Sequence, residues 1–111
     1  MKKIIPFLFL LISTTLFSQD GIKFGKQSFA QTLEQAKKEN KLIFLDAFAS
    51  WCGPCKLLDK NVFPKKEVGD YFNANFLSLH IDMEKGEGIE IAKKYSISSY
   101  PTLLCIDGDG K

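Results

Sequence analysis

The residues in this chain best suited to chemistry sit close together: Asp46, six positions ahead of Cys52, and the run Trp51-Cys52-Gly53-Pro54-Cys55-Lys56. Two cysteines separated by two residues at the start of a helix can close a small, reversible disulfide. Cys52 would stand at the helix N-terminus, where unpaired N–H groups and the macrodipole favour a negative sulfur. Such positions bring a thiol pKa from about 8.5 into a range of roughly 3.5–7.5. Cys55, one turn further in, would be shielded and less acidic, which suits a resolving thiol. Pro54 sets the first turn and has no N–H to leave unpaired. The same spacing also serves zinc sites and static disulfides, so metal binding or delivery through Cys52 and Cys55 stays open beside redox exchange. Asp46 interrupts the apolar run Leu42-Ile-Phe-Leu-Asp-Ala-Phe-Ala49. An ionised carboxylate buried there without a partner would be costly. It is either a strand-end acid with its head in water or a buried acid of raised pKa beside a proton-exchanging site.

The elements that must position these groups follow from periodicity. Ile22 to Lys26 is expected as a short strand. Ser28 and Gln31 have the form of a capping box, and Phe29, Leu33 and Ala36 recur at helical spacing up to Asn40. The run Leu42 to Ala49 is nearly continuous in apolar residues, as expected of a strand covered on both faces. A helix is expected from the cysteine pair toward Asn61 and another around Lys66 to Phe72. A strand then spans Phe76 to Ile81, a short helix Ile89 to Tyr95, and an apolar strand Thr102 to Ile106 before Asp107-Gly-Asp-Gly110. Strands alternating with helices argue for an α/β layered fold with parallel pairing.

With a strand before it, a helix after it and Gly-Pro between the cysteines, the motif resembles the active site of the thioredoxin superfamily. The similarity extends to Asp46, at the place of that family's buried strand acid, and to Tyr100-Pro101-Thr102, at the place of its cis-proline loop; it covers about Phe29 to Lys111. Asn61-Val-Phe63, Glu67-Val68 and Asp82-Met-Glu84 look most like thioredoxin-like domains of periplasmic reductive systems. The resemblance implies a three-layer α/β fold with a central mixed sheet flanked by helices. It further implies that Cys52 attacks a substrate disulfide, that Cys55 resolves the mixed disulfide, and that Asp46 accepts the Cys55 proton through a water. A cis Pro101 would pack beside the cysteines and keep metal away from them. Tyr100 would offer backbone groups to an extended substrate, Trp51 would supply an apolar rim, and Gly53 and Pro54 would complete the contact surface. The redox-active disulfide Cys52–Cys55 is then the only redox group expected, with no added cofactor and no metal.

Two features depart from the family pattern. Ser78 stands where the family often places a lysine near the buried acid, so Asp46 is expected to lack a cationic partner and to be pushed upward in pKa by burial. After the hairpin signal Asp107-Gly-Asp-Gly110 the sequence stops at Lys111. The domain is therefore expected to be C-terminally incomplete, without a last strand and helix, leaving Leu103 to Ile106 as an unpaired edge. Cys105 in that strand is expected to be a small core residue, and the only histidine, His80, a strand residue with its ring at the surface. Phe29, Phe44, Phe48, Phe63, Phe72 and Phe76 are expected in the core.

Composition limits the partners. The 111 residues, 45% of them hydrophobic, with only 8 Gly and 4 Pro, exclude collagen-like and disordered classes. Three cysteines exclude a multi-bridge scaffold. Met1-Lys2-Lys3, the apolar run Ile4 to Phe17 and the small Ser18 have the layout of a signal peptide over 1–18. The apolar run is shorter than the ~20 residues of a spanning helix. Cleavage would remove Lys2 and Lys3, cancelling the formal charge of +2. Neither nucleic acid nor stable membrane insertion is then expected. A domain over 19–111 in the periplasm or secreted would meet protein disulfides as substrates. An oxidising compartment would soon leave the pair oxidised, so reduction there needs a membrane or upstream thiol reductase as electron donor. An isomerase or oxidase is the same chemistry run otherwise.

Overall fold

The computed structural model describes residues 2–12 and 20–111. Its element order is α1 (Phe29–Glu39), β1 (Leu42–Phe48), α2 (Gly53–Asn61), α3 (Lys66–Asn75), β2 (Phe76–Asp82), α4 (Gly88–Lys94) and β3 (Thr102–Ile106). The capping box forms as its sequence predicts: the Ser28 hydroxyl accepts the Gln31 N–H and the Gln31 side chain accepts the Ser28 N–H, both at 3.1 Å. Helix α1 ends where Asn40 turns left-handed, a conformation asparagine tolerates at a helix end. Helix α3 runs three residues beyond the expected Phe72 and passes into β2 without a loop.

Strand β1 is the centre of a three-stranded sheet of order β2-β1-β3. It pairs with β2 in parallel, from Leu42 opposite Phe76 to Phe48 opposite Asp82. It pairs with β3 antiparallel, from Ile43 opposite Ile106 to Ala47 opposite Thr102. The sheet is mixed, so alternation of strands and helices foretold the parallel pair only. Five consecutive residues, Ile43 to Ala47, are buried, which is why this strand reads as an unbroken apolar run. On one face Ile43, Leu45 and Ala47 pack with Phe29, Ala36, Ile91 and Ile97. On the other, Phe44 meets the rings of Phe63 and Phe72 edge-on. Helices thus lie on both sides, giving three layers.

Two expectations fail here. Ile22 to Lys26 is no strand beyond a single bridge from Phe24 to Ser78. Its first backbone donors are used elsewhere: Ile22 N–H donates to the Phe63 carbonyl at 2.9 Å and Lys23 N–H to Asn73 Oδ1 at 2.9 Å, while only Gly25 N–H reaches β2, at the Ser78 carbonyl, 2.8 Å. Cys105 is exposed rather than buried. Side chains alternate along β3, so Leu104 and Ile106 turn to the packed face while Leu103 and Cys105 turn to the face where no described helix covers them.

Residues 2–12 carry no helix or strand, and the apolar side chains of Ile4 to Ile12 are exposed apart from the fold. The expected processing position at Ser18 lies outside the described residues. Among those described, no helix is long and apolar enough to cross a membrane.

The segment before α1 is clamped to α3 by a contact only glycine allows. A Cβ on Gly69 would overlap the Gly21 backbone, and Gly21 itself has φ +98°. Asn73 Nδ2 donates to the Gly21 carbonyl at 3.0 Å beside this contact. Gly69→Ala is expected to destabilise the fold by about 1–3 kcal/mol, the usual cost of overpacking. A denaturant midpoint unchanged from the parent protein would contradict this.

Candidate active site

The site is assembled where β1 ends and α2 begins. Cys52 is the N-cap of α2, and its Sγ accepts the Cys55 N–H at 3.1 Å, satisfying one of the donors a helix start leaves open. A disulfide joins Cys52 to Cys55 across a Cα separation of 5.3 Å. Pro54 lies in the first turn of α2, where a missing N–H costs nothing. No atom stands within 4 Å of where a Gly53 Cβ would be, so this side of the pair is open. The expected contrast between an accessible Cys52 and a shielded Cys55 is not seen in the bridged state, since both are 2% exposed. What distinguishes them is the N–H that Cys52 alone receives.

The residues facing the pair come from distant parts of the chain. The Tyr100–Pro101 bond is cis, and Tyr100 and Phe48 pack on the buried cluster of Ala49, Cys52 and Cys55. Trp51 is 67% exposed, with its ring 5.8 Å from that of Tyr100 in an edge-on contact. Trp51 Nε1 donates to Glu84 Oε1. Glu84, which sequence reasoning did not single out as a site residue, thereby fixes the rim. The seven residues from Trp51 to Pro101 named for the site, Cys52 and Cys55 included, lie together around the mouth of the pair.

Asp46 is 1% exposed, inside the sheet. Burial pushes its carboxyl up from the ordinary 3.8 to about 6; the charge of nearby His80 lowers it and that of Asp59 raises it. Asp46 has no lysine partner, as expected, and the group facing it is a histidine, cationic only when protonated. Ser78 is indeed a small buried serine, but His80, directly opposite Asp46 in the β1–β2 register, brings Nε2 to 3.4 Å from Asp46 Oδ2. The His80 ring is only partly at the surface. It stacks on Phe48 at 3.9 Å between ring centres, and Phe24 approaches at 5.3 Å. The available signal was the parity of the strand: Ser78 and His80 point to one face, two residues apart.

The three-layer fold, the cis-proline loop and the bridged pair at a helix start define a class, that of the thioredoxin-fold thiol:disulfide oxidoreductases. A family model described as thioredoxin-like matches residues 26–108, and the chain belongs to that family. It is 29% identical over 79 residues to the thiol:disulfide interchange protein DsbD of Pseudomonas fluorescens, covering 70% of this chain and 14% of that protein. It is 35% identical over 79 residues to a thioredoxin of Echinococcus granulosus, covering 71% of this chain and 68% of that one. Among solved structures, a Bacteroides thetaiotaomicron protein described as a candidate disulphide isomerase superposes with a TM-score of 0.73 at 52% identity, over 85% of this chain and 78% of that one. The chain therefore spans only a small part of the interchange protein and most of the single-domain relatives.

A raised carboxylate pKa makes the folded state pH-dependent. Both states hold the Asp46 proton below about pH 4, and the folded state loses stability as pH rises through about 6. Asp46→Asn removes that loss. The variant is expected to match the parent near pH 4 and exceed it at pH 8 by on the order of 2 kcal/mol, less than the bare shift gives because the cluster opens to water at Asp59. Denaturation at the two pH values measures it, and a difference independent of pH would refute the assignment.

Proposed function

We propose that this protein reduces disulfides of other proteins outside the cytoplasm, cycling between the Cys52–Cys55 disulfide and the dithiol. The observation that carries the reading is the bridged pair at the start of α2, with an N–H aimed at Cys52 Sγ and the cis-proline loop packed beside it. In the reduced protein Cys52 thiolate attacks one sulfur of a substrate disulfide, and the other sulfur leaves as a thiolate. Cys55 gives its proton to Asp46 through a bridging water. Its thiolate attacks Cys52, forming the Cys52–Cys55 bond and releasing the second substrate sulfur. The pair carries both electrons, and no further cofactor takes part. Tyr100 and Pro101 present backbone to an extended substrate segment, while Trp51, Gly53 and Pro54 form the apolar surface around it. Pro101 also keeps metal ions off the reduced thiols.

Export is supported by the signal-peptide layout of residues 1–18. The reductive direction is supported by Gly-Pro between the cysteines, with no histidine there to stabilise a thiolate further. A membrane or upstream thiol reductase returns the electrons. Likeness to a protein described as a candidate disulphide isomerase favours isomerisation as the second reading.

The equilibrium potential of the pair against glutathione and dithiothreitol decides the direction. A value near that of thioredoxin, about −270 mV, is expected; one near −120 mV would make the protein an oxidant instead. Cys55→Ser is expected to accumulate a mixed disulfide with a reducible protein substrate, and Cys52→Ser to lose reduction altogether. Retained reduction in Cys52→Ser would remove the proposal.

A further inference from the structure

Beyond the cysteine pair, one group of side chains stands out. His80 Nε2 lies 3.4 Å from Asp46 Oδ2 and 3.3 Å from Asp59 Oδ2, yet makes a well-formed hydrogen bond to neither. The three residues come from β2, β1 and α2. Asp46 is sealed inside the sheet, the His80 side chain is 28% exposed, and that of Asp59 is 41% exposed. Exposure therefore rises step by step along the group. Asp59 lines a groove of about 290 Å³ with Asp20, Phe24 and His80, and this groove opens to solvent. Asp46, which does not itself line the groove, shares a face of β1 with Phe48, which packs on the cysteine cluster. On α2, Asp59 follows Cys55 by four residues, so both lie on one helix face. Asp46 Oδ1 has no hydrogen-bond partner among the described residues and is free to accept a proton.

We propose that His80 and Asp59 connect Asp46 to solvent as a proton relay serving the cysteine pair, with His80 the positioning residue that sets the charge state of Asp46. The inference rests on the functional reading above. When Cys55 loses its proton, Asp46 becomes a neutral carboxylic acid. The carboxyl turns to carry that proton from the Oδ1 position to the His80 side, where Nε2 takes it, restoring the carboxylate and leaving an imidazolium. Asp59 Oδ2 then takes it from Nε2 and releases it to water in the groove. No electrons move along this path, and each carrier ends in its starting state. Imidazole is suited to the middle position because its ordinary charge change lies nearest neutral pH. The titratable groups nearest His80 Nε2 are Asp46 from β1 and Asp59 from α2; Asp20 shares the groove wall, and Lys26, Asp82, Lys85 and Glu87 line a second groove that His80 also borders. The rings of Phe24 and Phe48 close its other sides.

The group could in principle hold a metal, since one ligand atom from each of the three residues lies within 4.8 Å of the others. Relay and metal site differ in what they predict.

The test uses the full chain with His80→Asn and Asp59→Asn. The Asp46 carboxyl is followed by ¹³C NMR across pH, and resolution of the Cys52 mixed disulfide by rapid quench. Loss of the neighbour whose protonated form favours the carboxylate should move the Asp46 inflection up by about one unit in His80→Asn. Resolution should then slow about five-fold at pH 6, the fall in carboxylate fraction that such a shift produces. Loss of a negative neighbour should move the inflection down in Asp59→Asn. A general structural disturbance would not give opposite shifts. In the unsubstituted protein, ¹⁵N signals of the His80 ring should respond at the same pH as Asp46, which keeps the proposal testable should a variant fail to fold. Inflections and resolution rates unmoved in both variants would overturn the relay, as would stoichiometric zinc bound at His80. If the parent protein reduces no disulfide at all, the functional reading fails instead.

Discussion

The structure is organised around a carboxylate placed where a sheet would ordinarily hold an aliphatic side chain. Asp46 lies in the central strand, 1% exposed, with helices on both faces of its sheet. Burial penalises its charge, and only the imidazole across the β1–β2 pair offsets part of that penalty. The balance leaves a carboxyl poised near neutral pH, within the range where proton transfer is efficient. A better-paired acid would be held ionised and would be a weak base. An acid with no partner at all would hold its proton more tightly and be ionised less at neutral pH.

The same strand delivers the sulfur chemistry. Strand β1 ends at Phe48 and α2 begins at Gly53, so the helix start is tied to the most buried strand of the sheet. Fixing that start fixes Cys52 at the N-cap, where the backbone supplies the Cys55 N–H to sulfur. The partners that complete the site arrive from elsewhere. The Tyr100–Pro101 loop comes from just before β3, and Glu84, from the turn after β2, restrains Trp51. Function is thus assembled at the same end of parallel β1 and β2, where an α/β fold leaves room between its loops.

Much of this was legible before any coordinates. The capping box, the limits of β1, the helix start at the cysteines and the partners of the apolar core depend on local rules of hydrogen bonding and periodicity, and those rules hold here. The cis bond before Pro101 was legible only through family resemblance, because nothing local distinguishes it from an ordinary strand-start proline. The failures share another cause. Ile22 to Lys26 has strand composition, but its first N–H groups pair with Phe63 and Asn73. Cys105 is apolar in context yet falls on the uncovered side of an alternating strand.

The sequence by itself determined the cysteine pair, its helix and the order of the elements, since each follows from residues close in the chain. Only the tertiary structure decided who faces Asp46. His80 is thirty-four positions away, and Asp59 belongs to a helix whose rotation no sequence pattern states. Their meeting depends on the parallel register of β1 with β2 and on the packing of α2 over that pair. Register and helix rotation are set by the summed burial of many side chains, and so the partner of the central carboxylate became visible only when the whole core was in place.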